Sequence, residues 1–517
     1  MTHVNHDSSS VTLDGSQLTV EQVVRVARER APVGIAPRAE EAVARSRQAV
    51  EQLVASGTVV YGITTGFGDL ATTVVPAEDA VRLQENILLS HAVGTGPPLP
   101  EDVVRAMMLV RLNTLLRGYS GVRLELVRLL AEMLNRGVYP CVPEKGSLGA
   151  SGDLAPSAHA GLVLLGRGEA FVDGGLVTGA EALERAGLAP IRLEPKEGLA
   201  LCNGTQLMAG AGALLLADAM VLLDTADVVA GMSVEALGAS VRPFEARVHK
   251  LRPYPGAVRS AENLSRLTCG SGIVASHANC GKVQDAYSLR CVPQVHGASR
   301  DVWTHVAGLL AVELNSVTDN PLIFVGEDGP GAESISAGNF HGQSLAMAFD
   351  YLAIALAELA SISERRTFRL LAHHHSGLPP FLAEHSGLNS GYMLAQYTSA
   401  ALVSENKGLC HPASVDTIPT SAGQEDHVSM GALAVMKARR VAENVATVLG
   451  IEALCAAQAL DFWAPIAPGE GVAKAHGLVR SHVPHLFADR ELEREIRVAG
   501  GLVREGALAA VISHSRD

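Results

Sequence analysis

Apolar residues recur every three to four positions along most of this chain, and the places where that rhythm fails are rich in glycine or proline. Residues 1–12 read as a flexible polar tail. Leu18-Thr19-Val20-Glu21-Gln22-Val23-Val24 begins a helix that Thr19 can cap, and helical spacing returns over 39–55. At 57–68 the character changes, as Thr58, Val59 and Val60 give way to Gly62, Gly66 and Gly68, which predicts a short extended piece entering a loop. The run from Leu83 to His91 is helical and meets a stop at Ala92-Val93-Gly94, so His91 belongs at a helix C-terminus. A helical pattern covers 101–136, after which Pro140, Pro143 and Gly146 break the chain. Asp153 can cap, and Pro156 can sit in the first turn of, a helix running to Gly166. Residues 167–200 are loop-like, with a small hairpin expected around Gly174-Gly175. Further helices are predicted at 207–240, 302–316, 343–366 and 432–460, with a looser, charged helical end from 461 to 517.

The most apolar region, 209–239, contains Asp218, Asp224 and Asp227, so it misses the ~18 uncharged residues a membrane span needs. It reads as a buried helix or helix pair, and no membrane partner is expected. The polar start MTHVNHDSSSVTLDGSQ lacks the basic-then-apolar layout of an export signal. Composition agrees with helix: 48% of residues are hydrophobic but only 4% aromatic, a balance that suits close-packed helices. At 517 residues the chain exceeds what one core usually organises. The expected architecture is all-α and elongated, with an N-terminal lobe over 1–240 and a long antiparallel helix bundle over 241–517.

Charge narrows the function classes. The net charge is −13, from 41 Lys plus Arg against 54 Asp plus Glu, and the basic residues form no cluster that could track a phosphate backbone. Nucleic acid is not an expected partner. The seven cysteines are scattered without a C-x-x-C pair, as reduced thiols of a cytoplasmic protein would be. His373-His374-His375 has neither the spacing nor the acidic neighbours of a metal site and reads as a solvated turn, so no metal is expected. Gly66-x-Gly68-x-x-Ala71 follows an extended run and precedes Glu85 as a dinucleotide fingerprint would, but the β-branched run ending in Pro76 leaves no room for its helix. A nucleotide-dependent oxidoreductase is thereby disfavoured.

The chemistry concentrates at Ala150-Ser151-Gly152. Gly152 leaves its amide nitrogen unhindered, so the backbone can bend until that nitrogen attacks the Ala150 carbonyl carbon and closes a five-membered ring. Loss of two waters, one of them from the Ser151 side chain, would give a methylidene-imidazolone, an electrophile that no unmodified side chain supplies. Such a tripeptide alone turns up by chance in roughly one chain of this size in five. A serine-nucleophile elbow fails here because Asp153 stands where its last glycine should be.

The whole run Gly146-Ser147-Leu148-Gly149-Ala150-Ser151-Gly152-Asp153-Leu154-Ala155-Pro156 resembles the signature of the aromatic amino-acid ammonia-lyase family, in which this tripeptide cyclises without enzyme or external cofactor. Other resemblances extend from about 61 to about 430. Tyr61 to Gly68 is similar to the family's Y-G-x-x-T-G-F-G loop, which gives Tyr61 the place of the catalytic tyrosine base, although Asp69 departs from the pattern. Asn203-Gly204-Thr205 matches the motif whose asparagine reaches electrophile and substrate, with the unusual Cys202 beside it reading as a small buried thiol. Gln284-Asp285-Ala286-Tyr287-Ser288-Leu289-Arg290 matches Q-D-x-Y-S-x-R, which implies Gln284 and Tyr287 at the reacting centre and Arg290 as the clamp for the substrate carboxylate. A helix from Gln284 would put Tyr287 and Arg290 on one face. Thr318-Asp319-Asn320-Pro321 and Gly338-Asn339-Phe340-His341-Gly342 have family counterparts, the latter placing Phe340 near the electrophile.

Two segments bear on the substrate. Ser90-His91 and Gln424-Glu425 resemble the histidine-specific members of the family, where tyrosine and phenylalanine members carry other pairs. The resemblance implies that Glu425 and His91 hold an imidazole, that Gln424 lines the same pocket, and that L-histidine becomes trans-urocanate and ammonia. Whether amine or imidazole ring meets the electrophile is left open by the sequence. It also implies a homotetramer with sites shared between chains. The alternatives are tyrosine or phenylalanine deamination, an aromatic 2,3-aminomutase, and an inactive relative used as an interaction protein.

Overall fold

The computed structural model describes residues 10–278, 280–326 and 332–513. Helix makes up 59% of the chain and strand 8%, as the apolar rhythm required. Residues 1–9 of the expected tail lie outside the described residues, and the tail ends early, because Val11–Leu13 is a strand paired in parallel with Val33–Ile35.

Local chemistry explains most element ends. Val20–Ala27 starts with a full capping box, in which Thr19 Oγ1 accepts from the Gln22 amide and the Gln22 side chain accepts from the Thr19 amide. The hairpin near 174 is present, with Glu169–Val172 antiparallel to Gly175–Thr178. Other expectations are corrected. The 101–136 pattern is two helices, Glu101–Leu115 and Leu124–Asn135, parted where Gly118 and Gly121 take φ values of +75° and +68°. The stretch at 57–68 forms turns instead of an extended piece, and only a five-residue 3-10 turn, Gly68–Thr72, follows where a dinucleotide fingerprint would need a helix. The helix expected at 302–316 starts earlier, as Val292–Glu313. Two helices, Gly179–Arg185 and Glu197–Cys202, interrupt the region expected to be loop.

The chain divides into two compact units. The first comprises Met1–Ala217, Ala307–Phe349 and Pro412–Met436. Its core is the helix Glu101–Leu115, buried without interruption from Val103 to Leu115 and packed by Val20–Ala27 and Leu124–Asn135. Each fully buried leucine there contributes roughly 1.5–3 kcal/mol. Gly210 lets another helix close in, since a Cβ at that position would lie 2.8 Å from the Ala106 backbone. Among these apolar residues sits a charged pair, Lys196 Nζ to Asp319 Oδ2 at 2.7 Å, with both side chains fully buried. Arg111 stands 3.8 Å from the same carboxylate and donates to the Ala200 carbonyl.

The second unit comprises Asp218–Val306, Asp350–His411 and Lys437–Asp517. It holds a buried polar cluster about Asp227, whose carboxylate accepts from Ser260 at 2.6 Å, Asn263 at 2.8 Å and Arg300 at 2.7 Å, and meets His296 Nδ1 at 2.8 Å. Burial alone would raise the Asp227 pKa, but the Arg300 charge and the His296 contact bring it well below the usual carboxylate range. Glu452 is likewise gripped by Arg366 and Ser233. His373–Ser376 is one exposed helical turn, and no group of metal-ligating side chains occurs among the described residues. Gln206–Ala236 and Gln343–Leu371 are long and apolar enough to cross a membrane by composition, yet both are mostly buried within the protein.

Candidate active site

Ala150 and Ser151 form the corner of a tight turn in which the Gly152 amide donates to the Gly149 carbonyl at 3.3 Å. Ser151 is held at a φ of +50° and Gly152 at +84°. At Gly152 the requirement for glycine is steric as well, because a Cβ there would run into the Gly204 carbonyl. The Asn203-Gly204 segment clamps the turn from that side: the Gly204 amide donates to Ser151 O at 3.1 Å, and the Asp153 amide donates to Gly204 O at 2.7 Å. The Met430 amide donates to Leu148 O at 2.9 Å from another direction. The chain reverses inside the tripeptide, and Gly152 has no space for a Cβ, so the residues present fit the expected group.

The helix Leu154–Leu164 starts two residues after Gly152, with Asp153 at its N-cap position. Asp153 does not cap it, contrary to expectation. Its carboxylate turns to the start of Gln206–Ala236, accepting from the amides of Leu207 at 2.9 Å and Met208 at 3.0 Å, and from Ser147 Oγ at 3.1 Å. Burial pushes the Asp153 pKa up to about 7 in spite of these donors. The N-terminal amides of Leu154–Leu164 therefore stay unpaired by that side chain, next to the tripeptide.

Glu425 meets the turn directly. Ser151 Oγ donates to Glu425 Oε1 at 3.3 Å, and Thr420 Oγ1 donates to Glu425 Oε2 at 2.7 Å. The same two residues exchange backbone bonds, Thr420 N to Glu425 O at 3.0 Å and Glu425 N to Thr420 O at 3.3 Å. His91 ends the helix Ala80–His91, and its Nδ1 lies 2.9 Å from Ser90 Oγ. Burial lowers the His91 pKa, while the Ile87 carbonyl and the Glu425 charge oppose the shift, so Glu425 acts electrostatically on both His91 and the tripeptide. The Tyr61 hydroxyl oxygen accepts from the Gly68 amide at 3.1 Å. Gly68 itself packs against Ser421, whose Oγ accepts from the Asp69 amide at 3.4 Å, which joins the Tyr61 loop to the turn that carries Glu425.

Asn203 is buried and donates through Nδ2 to the Asn320 carbonyl at 2.8 Å, so the Thr318-Asp319-Asn320 turn fixes it. Phe340 is half-buried in the loop before Gln343–Leu371, close to where Gly342 presses on Met208. Gln424 is exposed. Gln284, Tyr287 and Arg290 belong to the second unit. Gln284 precedes a helix of only four residues, Tyr287–Arg290, so the expected single helical face does not include it. Tyr287 and Arg290 do share a face, with the Arg290 guanidinium 4.6 Å from the centre of the Tyr287 ring. Tyr287 is 71% exposed. Gln284 and Arg290 line a cavity of about 690 Å³. Cys202 is the small buried thiol expected, its pKa pushed up to about 12 by burial.

Sequence reasoning missed three supports of this site. Thr420 orients Glu425, and the turn-forming run Thr420-Ser421-Ala422-Gly423 just before it was the available signal. Gln84, fully buried, donates to the Gly62 carbonyl and accepts from the Leu199 amide, tying the Tyr61 loop to Glu197–Cys202. The Lys196–Asp319 pair anchors the turn that holds Asn203, and nothing local in the sequence marks it.

Residues 18–481 match the family described as aromatic amino acid lyase. The chain is 52% identical over 502 residues to a histidine ammonia-lyase of Caldanaerobacter subterraneus, covering 97% of this chain and 98% of that protein. Among solved structures it resembles a tyrosine aminomutase from Streptomyces globisporus, with a TM-score of 0.93 and 38% identity over 98% of this chain and 99% of that one. It also resembles the histidine ammonia-lyase of Trypanosoma cruzi, with a TM-score of 0.89 and 40% identity over 98% of this chain and 95% of that one.

Proposed function

Because the chain belongs to the aromatic amino acid lyase family, we propose that it is a carbon–nitrogen lyase that converts L-histidine to trans-urocanate and ammonia, using an electrophile formed from its own Ala150, Ser151 and Gly152. The observation that carries the choice of histidine is the carboxylate of Glu425, hydrogen-bonded to Ser151 at 3.3 Å and felt electrostatically by His91. A bound phenyl ring would leave Glu425 Oε1 without a partner, since Thr420 serves only Oε2, at a cost on the order of a few kcal/mol and about a hundredfold in rate. An imidazole can donate one N–H to Glu425 and meet His91 with its other nitrogen.

The methylidene-imidazolone supplies an electrophilic carbon that makes the α-amine a competent leaving group. The remaining work falls to side chains. Tyr61, its oxygen fixed by the Gly68 amide, takes the β-proton. Glu425 and His91 orient the ring so that the β-carbon faces Tyr61. Asn203 binds near the amine, and Phe340 and Gln424 close the pocket. Arg290 clamps the substrate carboxylate in two-pronged fashion, with Gln284 and Tyr287 beside it. We assign these three to another copy of the chain in a homotetramer with shared sites, a reading supported by the exposure of Tyr287. The seven free cysteines suit the cytoplasm.

The test is an ultraviolet assay with histidine, tyrosine and phenylalanine in parallel. Urocanate should be the main product, and Glu425→Ala should abolish its formation. Coumarate, cinnamate or a β-amino acid as the main product would instead favour the tyrosine, phenylalanine or aminomutase readings, to which the tyrosine aminomutase likeness gives some weight.

A further inference from the structure

We infer that Glu425 also serves the maturation of the chain: it expels the Ser151 hydroxyl when the electrophile forms, before it ever meets a substrate. The inference rests on the cyclisation proposed above and concerns which group drives its second water loss.

Among the described residues, the one hydrogen bond of the Ser151 hydroxyl goes to Glu425 Oε1, at 3.3 Å. The carboxylate is not free to swing away, since Thr420 Oγ1 holds Oε2 at 2.7 Å and the backbones of Thr420 and Glu425 are paired. The Ser151 backbone is equally fixed, through its carbonyl, by the Gly204 amide. Asp153, which follows the tripeptide in sequence, is a rival acid, but both of its oxygens are engaged by Ser147, Leu207 and Met208. His91 Nδ1 is turned to Ser90.

The chemistry needs a proton donor at that oxygen. In the first stage the Gly152 nitrogen bonds to the Ala150 carbonyl carbon, and the former carbonyl oxygen departs as water with the hydrogens of the Gly152 and Ser151 amides. A double bond then joins the Ala150 carbon to the Ser151 nitrogen. This leaves the Ser151 Cα–H between that bond and the Ser151 carbonyl, acidic enough to pass its proton to solvent. The released electron pair forms the Cα–Cβ double bond, and the Cβ–Oγ bond breaks with its pair on oxygen. Hydroxide is a poor leaving group, so a general acid that protonates Oγ as this bond breaks accelerates the step by ~10²-fold or more. A proton that Glu425 Oε1 takes from solvent turns the hydrogen bond to Oγ around and is handed to Oγ as the Cβ–Oγ bond breaks, which leaves the carboxylate as it began, so the sum is the loss of one water with no change of oxidation state. Once the hydroxyl has gone, Oε1 has lost its partner and is available to an imidazole N–H.

The two stages are separable by mass, about 18 Da each. Freshly synthesised wild-type chain, Glu425→Ala, Glu425→Gln, Glu425→Asp and Thr420→Val should be followed by intact and peptide-level mass spectrometry, with circular dichroism to check helix content. Wild type should settle about 36 Da below its encoded mass. Glu425→Ala and Glu425→Gln should accumulate a species only about 18 Da light, with the ring closed and the serine hydroxyl retained, and lose the second water at least about tenfold more slowly. Glu425→Asp should recover part of the rate, and Thr420→Val should slow it. A Glu425→Ala chain that reaches the 36 Da deficit as fast as wild type overturns the inference while leaving cyclisation intact. So does a folded Glu425→Ala chain that stays at its full encoded mass, since Glu425 would then be needed for ring closure. Wild type at full encoded mass would sink the cyclisation reading itself.

Discussion

Asp153 and His91 pull the pH dependence of stability in opposite directions, and both do so because they are buried. The Asp153 pKa rises from 3.8 to about 7, burial outweighing the donors Met208, Ser147 and Leu207. The folded chain therefore keeps a proton that the unfolded chain releases near pH 4, and the stability this confers is full below that point and lost as pH rises through about 7. His91 is lowered from 6.5, so the unfolded chain takes up its proton first and stability falls as pH drops below about 6.5. In Asp153→Asn the amide oxygen can still accept from Leu207 and Met208, and the amide nitrogen can donate to Ser147 Oγ. The melting temperature of this variant, measured from pH 5 to 8, should decline less steeply towards high pH than that of wild type, the remainder belonging to Glu235, which burial also raises to about 7, and should keep the acid-end fall that His91 shares with His159 and His296. A decline identical to that of wild type would rule out Asp153 as its source. The capping role of Thr19 was legible from residue type and local spacing, whereas Glu425 was singled out by family resemblance and the tripeptide by resemblance together with its small residues. The true partner of Asp153 was not legible, because its carboxylate bonds to amides 54 and 55 residues further on, a distance over which local periodicity carries no information.

Elements were legible in type and less so in their breaks. The 101–136 pattern concealed a break because apolar periodicity runs on through Leu116 and Val122, while the two glycines between them respond to a neighbour. Gly118 takes a φ of +75°, and a Cβ there would lie 2.7 Å from the Ala42 backbone in the helix Pro37–Ala55. Gly118→Ala should accordingly destabilise the chain by about 2 kcal/mol or more, from left-handed backbone strain together with the clash. Its urea midpoint should fall with the slope of the transition unchanged. Gly137 also has a positive φ, +69°, yet a Cβ there meets none of the described residues within 4 Å, which makes Gly137→Ala the matched control for strain without a clash. Equal losses in the two variants would show that packing against Ala42 contributes nothing. The same logic places the irregular segments of the site: the Asn203-Gly204 segment and the Thr420-Glu425 turn have no periodicity of their own and take their shape from what they touch.

At the scale of the whole molecule, the proposal that active sites are shared between chains makes a quantitative demand. Among the described residues, Arg290 Nε is buried and has no hydrogen-bond partner, and its guanidinium lies against a Tyr287 ring that is largely exposed. If the Ala150-Ser151-Gly152 turn of one chain works with Arg290 of another, then Ser151→Ala and Arg290→Ala, each nearly inactive alone, should rescue one another in the same assembly. With equal expression and random mixing, each site draws an intact tripeptide half the time and an intact Arg290 half the time. About a quarter of wild-type activity should then return. Both variants keep their backbone geometry, since neither change touches the Gly152 to Gly204 contact or the Lys196–Asp319 pair. The two tagged forms should be co-expressed, the mixed assembly isolated through both tags, and urocanate formation compared with each parent. Mixing the purified parents without exchange serves as the blank and should show no recovery. If the isolated mixed assembly is as inactive as its parents, each site is built from one chain, and the assignment of Gln284, Tyr287 and Arg290 to a partner falls with it.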